Sequence, residues 1–209
     1  MFITFEGLDF CGKSTQIDLL EKYLANKNKQ VKIIREPGGV PISEKIREIL
    51  LDKKNSHMFE ETELFLFLAA RSQLVREIIR PFLANGFYVI SDRFYDSTTA
   101  YQGFGRSIPL EFINAINSFA IGNTIPDITF FIDIPVEEIS KRRVLRNQGQ
   151  LDRIESSKQD FYEKVRQGYH FLSGREKRFI KIDGLQEINE IHKKIIYEIN
   201  IYEMEGADV

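Results

Sequence analysis

The sequence predicts an α/β protein in which helices pack on both faces of a five-stranded parallel sheet. Short runs rich in β-branched and aromatic residues alternate along the chain with stretches of helical periodicity. A glycine-rich turn separates the first such run from the first helical stretch, and polar residues follow directly after later runs. Because strands that alternate with helices are joined by right-handed crossovers into a parallel sheet, we expect three layers, α/β/α.

Each element can be located from its pattern. The first helical stretch follows the glycine-rich turn and carries Ile17, Leu20 and Leu24 on one face. The predicted strands cover residues 2–5, 30–35, 87–91, 127–133 and 178–182. The later predicted helices cover residues 42–51, 60–83, 109–121, 136–146, 160–172 and 186–202. Pro81 is expected to shape the end of its helix, and residues 203–209 are expected to fray.

Length and charge limit the class of protein. The 209 residues suffice for one well-buried domain, so we predict a single domain over residues 1–209. The net charge of -2 gives no support to a nucleic acid or a membrane surface as partner, and no apolar run reaches membrane-spanning length. The single cysteine, Cys11, excludes an intrachain disulfide. With no secretory signal before the first strand, a cytoplasmic location is expected.

The first turn carries a phosphate-binding motif. Gly7 and Gly12 bracket four residues and are followed by Lys13 and Ser14, between a strand and a helix. Backbone N–H groups and the helix dipole favour an anion there, Lys13 can reach the β- and γ-phosphates, and the Ser14 hydroxyl can ligate Mg²⁺. The ordinary alternative is a glycine turn that only caps a helix. The strand before and the helix after favour a Walker A loop, and hence a P-loop NTPase fold.

Two further patterns address a second substrate. Asp92 and Arg93 follow the third predicted strand, where Asp92 could hold a Mg²⁺-bound water or orient an acceptor and Arg93 could bind a second phosphate. A surface ion pair at a strand end would show the same pattern. Phe67 and Arg71 share one helix face, where they could stack on a base and reach a phosphate. Aromatic residues at that spacing are more often part of the core.

A basic run follows the fourth strand. It consists of Lys141, Arg142, Arg143, Arg146 and Arg153. Such a run is normally a solvated helix face. Next to a phosphate loop it could instead close over the transferring phosphoryl group, so we predict a short lid at about residues 142–153.

These motifs together resemble those of the thymidylate kinases, which are P-loop nucleoside monophosphate kinases. The resemblance covers nearly the whole chain and includes the phosphate loop from Glu6 to Gln16. Its other segments are Arg35-Glu36-Pro37-Gly38-Gly39, Phe67-Leu68-Ala69-Ala70-Arg71, Asp92-Arg93-Phe94, Ala100-Tyr101-Gln102-Gly103 and Leu151-Asp152-Arg153-Ile154-Glu155. The first, fourth and fifth of these are much more specific than the phosphate loop, and they occur in the family's order.

The resemblance implies the reaction ATP + dTMP → ADP + dTDP, with Mg²⁺ as cofactor. Phe67 would stack on thymine and Gln102 would hydrogen-bond it. Arg71 and Arg93, with Arg47 as a third contact, would bind the dTMP phosphate.

The resemblance also implies roles around the sugar. Asp9 would lie near the deoxyribose 3′-hydroxyl, and Tyr101 would crowd the 2′ position and disfavour ribonucleotides. Ser97 would lie along the thymine-side wall, and Glu36 would sit near the acceptor and the metal. The implied fold is a five-stranded parallel sheet, and the usual assembly is a homodimer.

The donor side follows from the phosphate loop. ATP would be bound by Gly7, Leu8, Asp9, Phe10, Cys11, Gly12, Lys13, Ser14 and Thr15, and the metal by Ser14 and Asp92. Phe10 departs from the glycine or arginine that members of the family often have in this loop position. Because phenylalanine supplies no charge, the chain resembles the bacterial type, in which the lid provides the catalytic arginine. Catalysis would then rest on Lys13, Asp92, Arg93, Arg143 and Arg146.

Two other functions stay open from the sequence. Another small kinase, acting on a different monophosphate or on a deoxynucleoside, would keep the phosphate loop. A nucleoside, however, lacks the phosphate that Arg71 and Arg93 suit. A non-catalytic switch that binds ATP or GTP would need neither the lid arginines nor a slot for a second base.

Overall fold

Five parallel strands form the centre of the fold in a computed structural model of the chain, which describes residues 1–145, 152–155 and 158–207. The strands are β1 (Phe2–Glu6), β2 (Val31–Arg35), β3 (Tyr88–Asp92), β4 (Ile128–Asp133) and β5 (Phe179–Asp183). They pair in the order β2-β3-β1-β4-β5, and every pairing is parallel. The predicted fold class is therefore confirmed, and each predicted strand agrees with the structure to within a residue at either end.

Helices connect consecutive strands, and a last helix follows β5. They are α1 (Lys13–Asn26), α2 (Pro41–Leu51), α3 (Glu60–Leu74), α4 (Arg80–Ala84), α5 (Tyr95–Thr98), α6 (Leu110–Ile121), α7 (Val136–Leu145), α8 (Gln159–Ser173) and α9 (Ile188–Ala207). Two wider, π-helical segments occur at Val75–Ile79 and Thr99–Gly105, and a short 3₁₀ turn at Lys53–Asn55.

Alternate side chains of the strands face two separate helical layers. Ile3 and Phe5 of β1 pack with Leu20 of α1 in a core that also contains apolar residues of α9. Phe2, on the opposite face of β1, packs with Leu74 at the end of α3 and with residues of α4 and α6. Both faces of the sheet are thus covered, which is why its strands are almost continuously apolar.

The helix predicted over residues 60–83 is helical throughout but changes its winding. α3 ends at Leu74, the π-helical segment Val75–Ile79 follows, and α4 begins at Arg80. Pro81 has no N–H to donate, and its ring crowds the carbonyl one turn back. The wider turn just before it accommodates that ring. Pro81 therefore alters the winding of the helix before the proline and does not end the helix.

The final helix is longer than predicted. α9 extends to Ala207, so the expectation that the chain frays after residue 202 is wrong. Glu203 forms an ion pair with Lys29 at 3.4 Å and accepts a hydrogen bond from the Tyr88 hydroxyl. The Tyr202 hydroxyl donates to Asp127 at 3.0 Å. These contacts attach the last turns of α9 to the end of the sheet at which β2, β3 and β4 begin.

The sheet order determines where a site can form. β1 lies between β3 and β4, and β2 lies beyond β3. The connection from β1 to β2 therefore runs toward one side of the sheet, and the connection from β3 to β4 runs toward the other side. Loops after the carboxyl ends of β1, β2 and β3 meet at one edge, where ligands bind in open α/β sheets. Of the lid predicted at about residues 142–153, Arg142–Leu145, Asp152 and Arg153 are described. None of the helices in the described ranges is long and apolar enough to cross a membrane.

A buried ion pair is expected to contribute strongly to stability. Asp96 of α5 is fully buried and accepts two hydrogen bonds of 2.8 Å from the Arg178 guanidinium just before β5. Asp96→Asn should lower the free energy of unfolding by about 3–5 kcal/mol in urea denaturation, because the buried arginine loses its counter-charge. Glu190→Gln is the matched control, since the exposed pair of Glu190 and Lys193 should contribute under about 1 kcal/mol. Equal effects of the two substitutions would contradict this assignment.

Candidate active site

A cavity of about 400 Å³ lies where the loops after β1, β2 and β3 meet. Its lining contains all nine residues predicted to bind the acceptor: Asp9, Glu36, Arg47, Phe67, Arg71, Arg93, Ser97, Tyr101 and Gln102. Phe10, Lys13, Ser14 and Asp92 line the same cavity. The tertiary structure therefore brings together residues that are separated by up to 93 positions in the sequence, from Asp9 to Gln102. Their individual roles stay predictions.

The phosphate loop has a backbone conformation that requires glycine at two positions. Gly7 has φ +137°, and a Cβ atom there would lie 2.4 Å from the Ile132 carbonyl oxygen. Gly12 has φ +109°, although no atom of the described residues would come within 4 Å of its Cβ. Glycine is needed at Gly12 for its dihedral angle alone. Phe10 also has a positive φ, 62°, so this bulky residue occupies a strained conformation in the loop.

Lys13 is folded back onto the loop. Its ammonium donates hydrogen bonds to the carbonyl oxygens of Gly7 at 3.3 Å and of Leu8 at 3.0 Å. The side chain is buried yet lines the cavity. A cation held in this way is placed over the loop where the phosphates of a nucleotide would lie.

Arg93 connects the phosphate loop to the end of β3. Its guanidinium donates to the Gly7 carbonyl oxygen at 2.8 Å and to Asp9 Oδ1 at 2.6 Å. Burial alone would raise the pKa of Asp9, but Arg93 and Lys13 outweigh it and hold that pKa below its ordinary value. Asp9 is thus ionised at neutral pH, and the pair places a carboxylate and an arginine on the cavity wall.

The oxygen atoms near the loop fit a magnesium ion. Asp92 Oδ1 is buried and finds no hydrogen-bond partner among the described residues, and the Ser14 hydroxyl belongs to the same cavity. Mg²⁺ prefers oxygen ligands and usually takes one or two protein groups together with phosphates and waters. Within the described residues no cluster of three His, Cys, Asp or Glu side chains could hold a metal.

Arg71 is more deeply buried than Arg93 on the wall of the cavity. Its side chain is 1% exposed and forms a 2.8 Å ion pair with Glu36. It also donates to Thr98 Oγ1 at 2.8 Å, Asn117 Oδ1 at 3.0 Å and the Phe94 carbonyl oxygen at 3.3 Å. A substrate group that binds Arg71 must therefore replace a protein acceptor. The same holds for Arg93, which also donates to four protein groups, whereas Arg47 donates to the Pro37 carbonyl oxygen. Sequence periodicity did not indicate this burial.

One side of the cavity, the acceptor wall, is formed by the segment Thr99–Gly105, for which the sequence predicted neither a helix nor a strand. Tyr101 and Gln102 lie in the π-helical segment Thr99–Gly105 and are 7% and 2% exposed. The Tyr101 hydroxyl is buried without a hydrogen-bond partner among the described residues. The Gln102 side-chain nitrogen donates to Glu63 at 2.9 Å. Phe67 is half-buried opposite them in the same lining, so an aromatic face borders the cavity.

A second cavity, of about 280 Å³, lies on the other side of the phosphate loop. Its lining includes Phe10, Cys11, Gly12, Thr15, Gln16, Arg142 and Gly184. Arg142 of α7 donates to the Cys11 carbonyl oxygen at 3.2 Å and to that of Gly184 at 2.6 Å. The sequence grouped Arg142 with the other lid arginines and did not single it out. Arg143 lines neither cavity, and Arg146 lies outside the described residues.

Sequence reasoning missed a buried carboxylate at the base of the site. Glu6 Oε1 accepts a hydrogen bond from the Phe94 N–H at 2.7 Å. Its Oε2 accepts hydrogen bonds from the Ser97 hydroxyl at 2.6 Å and the Tyr169 hydroxyl at 2.8 Å. Burial, with a smaller contribution from Asp96, raises the pKa of Glu6 to about 7. A charged residue at the end of an otherwise apolar strand was the signal available for it.

Asp152, near the far end of the predicted lid, and Glu155, two residues beyond the lid, line the first cavity. The Asp152 N–H donates to Glu155 Oε2 at 3.0 Å, and the Glu155 N–H donates to Asp152 Oδ1 at 2.7 Å. Burial raises the pKa of both carboxyl groups. The motif around them was visible in the sequence, but its position against the cavity was not.

A Walker A loop at a strand–helix turn, with a polar cavity of about 400 Å³ beside it, is typical of P-loop proteins that bind a nucleotide and a second small substrate. The thymidylate kinase family matches residues 5–195. The chain belongs to this family, and its membership of a kinase family disfavours the non-catalytic switch.

Several thymidylate kinases are similar to the chain over nearly its whole length. That of Thermosipho africanus is 50% identical over 195 residues, which are 93% of this chain and 95% of that protein. That of Chlorobaculum tepidum is 44% identical over 208 residues, 96% of this chain and 97% of that protein. That of Caldanaerobacter subterraneus subsp. tengcongensis is 45% identical over 210 residues, 100% of this chain and 98% of that protein.

The raised pKa of Glu6 predicts a pH-dependent stability. Between pH 4.5 and about 7 the folded protein keeps a proton on Glu6 that the unfolded chain has lost. The stabilisation is fully present below pH 4.5 and lost as pH rises through 7, so the free energy of unfolding should fall across this window. Glu6→Gln mimics the protonated form. It should remove a fall in the free energy of unfolding on the order of 3 kcal/mol over the whole window, and so flatten the slope. Urea denaturation of both proteins across the window measures it, and identical slopes would exclude Glu6 as the titrating group.

Proposed function

We propose that the chain transfers the γ-phosphoryl group of ATP to dTMP and releases ADP and dTDP. Membership of the thymidylate kinase family supports this reaction. The observation that carries the residue assignments is the 400 Å³ cavity, in which the predicted acceptor residues adjoin Lys13 and Ser14 of the phosphate loop. Its volume is in the range of small-molecule sites.

The acceptor nucleotide would lie along the cavity, with its base toward α3 and its phosphate toward the loop. Phe67 offers a ring for thymine, and Gln102 offers an amide to its edge. Arg93 and Arg47 offer charged donors for the phosphate. Since Arg71 and Arg93 each donate to four protein groups, their predicted contacts with the phosphate require some of these hydrogen bonds to be replaced.

The sugar of the acceptor would lie between the loop and the π-helical segment. Asp9 would face the 3′-hydroxyl. The Tyr101 hydroxyl, which has no hydrogen-bond partner in the described part of the chain, would crowd the 2′ position. Ser97 would contribute to the wall, although its hydroxyl is already committed to Glu6.

The chemistry requires mainly positioning and charge neutralisation. Two anions must be brought together, and charge spreads over the transferring group in the transition state. Lys13 and Arg93 supply cations on either side of that group, and the acceptor phosphate needs no strong base because it is already an oxyanion. Arg143 and Arg146 remain the predicted lid arginines for the same charge.

Ser14 and Asp92 would hold Mg²⁺ together with the phosphates of ATP. The ion would neutralise charge on the donor phosphates as the transfer proceeds. Glu36 would lie near the ion. Its Oε1 is buried and has no hydrogen-bond partner among the described residues.

The nucleoside part of ATP would occupy the second cavity. That cavity begins at the same loop residues as the phosphate site, at Gly12 and Thr15, and opens away from the acceptor. Arg142 forms part of its wall and offers a planar cation on which a base can stack.

We further propose a cytoplasmic homodimer, on the strength of the family resemblance and of an exposed apolar face. Phe65 of α3 is 55% exposed, and Phe112 and Phe119 of α6 are 44% and 86% exposed. Phe112 and Phe119 are seven residues apart and so share one side of α6. α3 and α6 pack against each other through Leu64 and Ile113, which brings their exposed aromatic residues close together.

Removal of Arg93 should impair use of dTMP. Arg93→Ala should lower kcat/KM for dTMP by at least about 100-fold, because the variant lacks a charged donor to the phosphate. ADP release with ATP, Mg²⁺ and dTMP measures this, and titration of ATP in the absence of acceptor checks that the donor still binds. Arg175→Ala, at an exposed position, is the control. Unchanged turnover in Arg93→Ala would refute the assignment of this residue.

The proposed dimer can be tested at its most exposed residue. Phe119→Asp should convert the protein to a monomer, because a charge at the centre of an apolar interface is costly to bury. Multi-angle light scattering should give about twice the 24.4 kDa chain mass for the natural sequence and one chain mass for the variant. Tyr197→Asp, on the exposed side of α9, should leave the mass unchanged. A natural protein of one chain mass would reject the proposal.

A further inference from the structure

Glu63 of α3 is a buried carboxylate to which no role has been assigned so far. Its side chain is 2% exposed. Its Oε1 accepts a hydrogen bond from the side-chain nitrogen of Gln102 at 2.9 Å, and its Oε2 accepts one from Arg153 at 2.6 Å. Arg106 donates to both oxygens, at 3.3 Å each. One carboxylate therefore connects α3 to the acceptor wall and to the far end of the predicted lid.

The surroundings of Glu63 keep it ionised. Burial by itself would raise its pKa, but Arg106 and the hydrogen bonds from Gln102, Arg106 and Arg153 outweigh burial and lower the pKa below its ordinary value. An ionised carboxylate has only acceptor atoms. Glu63 can therefore receive a hydrogen bond from Gln102 but cannot donate one.

This restriction determines how the Gln102 amide is oriented. The two ends of an amide differ, since the nitrogen only donates and the oxygen only accepts. With its nitrogen held by Glu63, Gln102 has its carbonyl oxygen left for the cavity that the residue lines. The reverse orientation would set the amide oxygen against a carboxylate inside the protein, which is strongly unfavourable.

A carbonyl oxygen at this position can distinguish between pyrimidine bases. Thymine and uracil carry an N3–H donor on their pairing edge, whereas N3 of cytosine is an acceptor with no hydrogen. An acceptor atom in the wall pairs with the first two bases and opposes the third. A buried hydrogen-bonding group that is left unmatched costs enough to give strong discrimination between substrates.

We propose that Glu63 is a positioning residue that orients the Gln102 amide so that the acceptor site selects a base with an N3–H donor over cytosine. The proposal rests on the proposed function, in which Gln102 contacts the acceptor base. A purely structural role is the competing explanation, because Glu63 also neutralises Arg106 and Arg153. The two explanations differ in substrate selectivity, since lost stability would affect all acceptors equally.

The test compares kcat/KM for dTMP, dCMP and dUMP in the natural protein and in Glu63→Gln. Glutamine at this position can donate as well as accept, so the Gln102 amide becomes free to turn. The ratio of dTMP to dCMP should fall by at least about tenfold. The ratio of dTMP to dUMP should stay within about twofold, because both bases carry N3–H. Glu61→Gln, an exposed position on the same helix, should change neither ratio.

Two further variants separate the explanations. Gln102→Leu should itself abolish the discrimination against dCMP, and adding Glu63→Gln to it should then have no further effect on the ratio. Glu63→Asp keeps the charge that the arginines require but shortens the reach to Gln102. It should also lower the dTMP to dCMP ratio, and it carries the test if Glu63→Gln does not fold.

The outcomes distinguish this inference from the proposed function. If the natural protein shows no preference for dTMP, the proposed function itself fails. If it prefers dTMP but Glu63→Gln and Glu63→Asp lose activity on dTMP and dCMP in equal proportion, Glu63 is only structural and the inference is overturned. A further fall in the ratio when Glu63→Gln is added to Gln102→Leu would overturn it as well.

Discussion

The arrangement of the site depends on the hydrogen bonds that converge on Glu6. This carboxylate ends β1 inside the protein and accepts from the Phe94 backbone, from Ser97 and from Tyr169 of α8. A buried carboxyl group without such partners would be too unfavourable to keep. Because the donors come from two distant parts of the chain, Glu6 holds the segment after β3 and helix α8 against the strand that leads into the phosphate loop. Arg93, one residue before Phe94, takes its place on the cavity wall as a consequence.

Paired charges dominate the cavity that results. Asp9 pairs with Arg93, and Glu36 pairs with Arg71. A site that must bring two anionic nucleotides together needs cations, yet unpaired buried cations would destabilise the folded protein. Carboxylate partners resolve this conflict, since they neutralise the arginines and also orient them. How readily each arginine serves a substrate then depends on its exposure as well as on its protein partners, and the side chain of Arg93 is 15% exposed whereas that of Arg71 is 1% exposed.

Agreement between sequence and structure is closest where local pattern and tertiary packing favour the same result. The strands were placed to within a residue because short apolar runs ended by polar or glycine-rich turns leave little choice of where a strand begins and ends. The segment after β3 was left undefined because its π-helical form depends on a distant contact. Gly168 of α8 lies so close to Ala100 that a Cβ atom added to Gly168 would come within 2.9 Å of the Ala100 Cα. No local propensity encodes that approach. The winding change before Pro81 was missed for a similar reason, since the local pattern there is helical throughout.

The sequence by itself determined the fold class and the phosphate loop, and its resemblance to the thymidylate kinases supplied the residues expected to bind the acceptor. Spacing within one element was enough for the fold class and the loop, because strand alternation, helix periodicity and the Gly-x-x-x-x-Gly-Lys-Ser order are local properties. Only the tertiary structure decided the partners of the buried polar groups. Glu63 and Gln102 are 39 positions apart, and Glu63 and Arg153 are 90 apart. Once buried, a polar side chain must take the partners that folding brings near it. The orientation of an amide or an arginine in the site is therefore a property of the folded molecule.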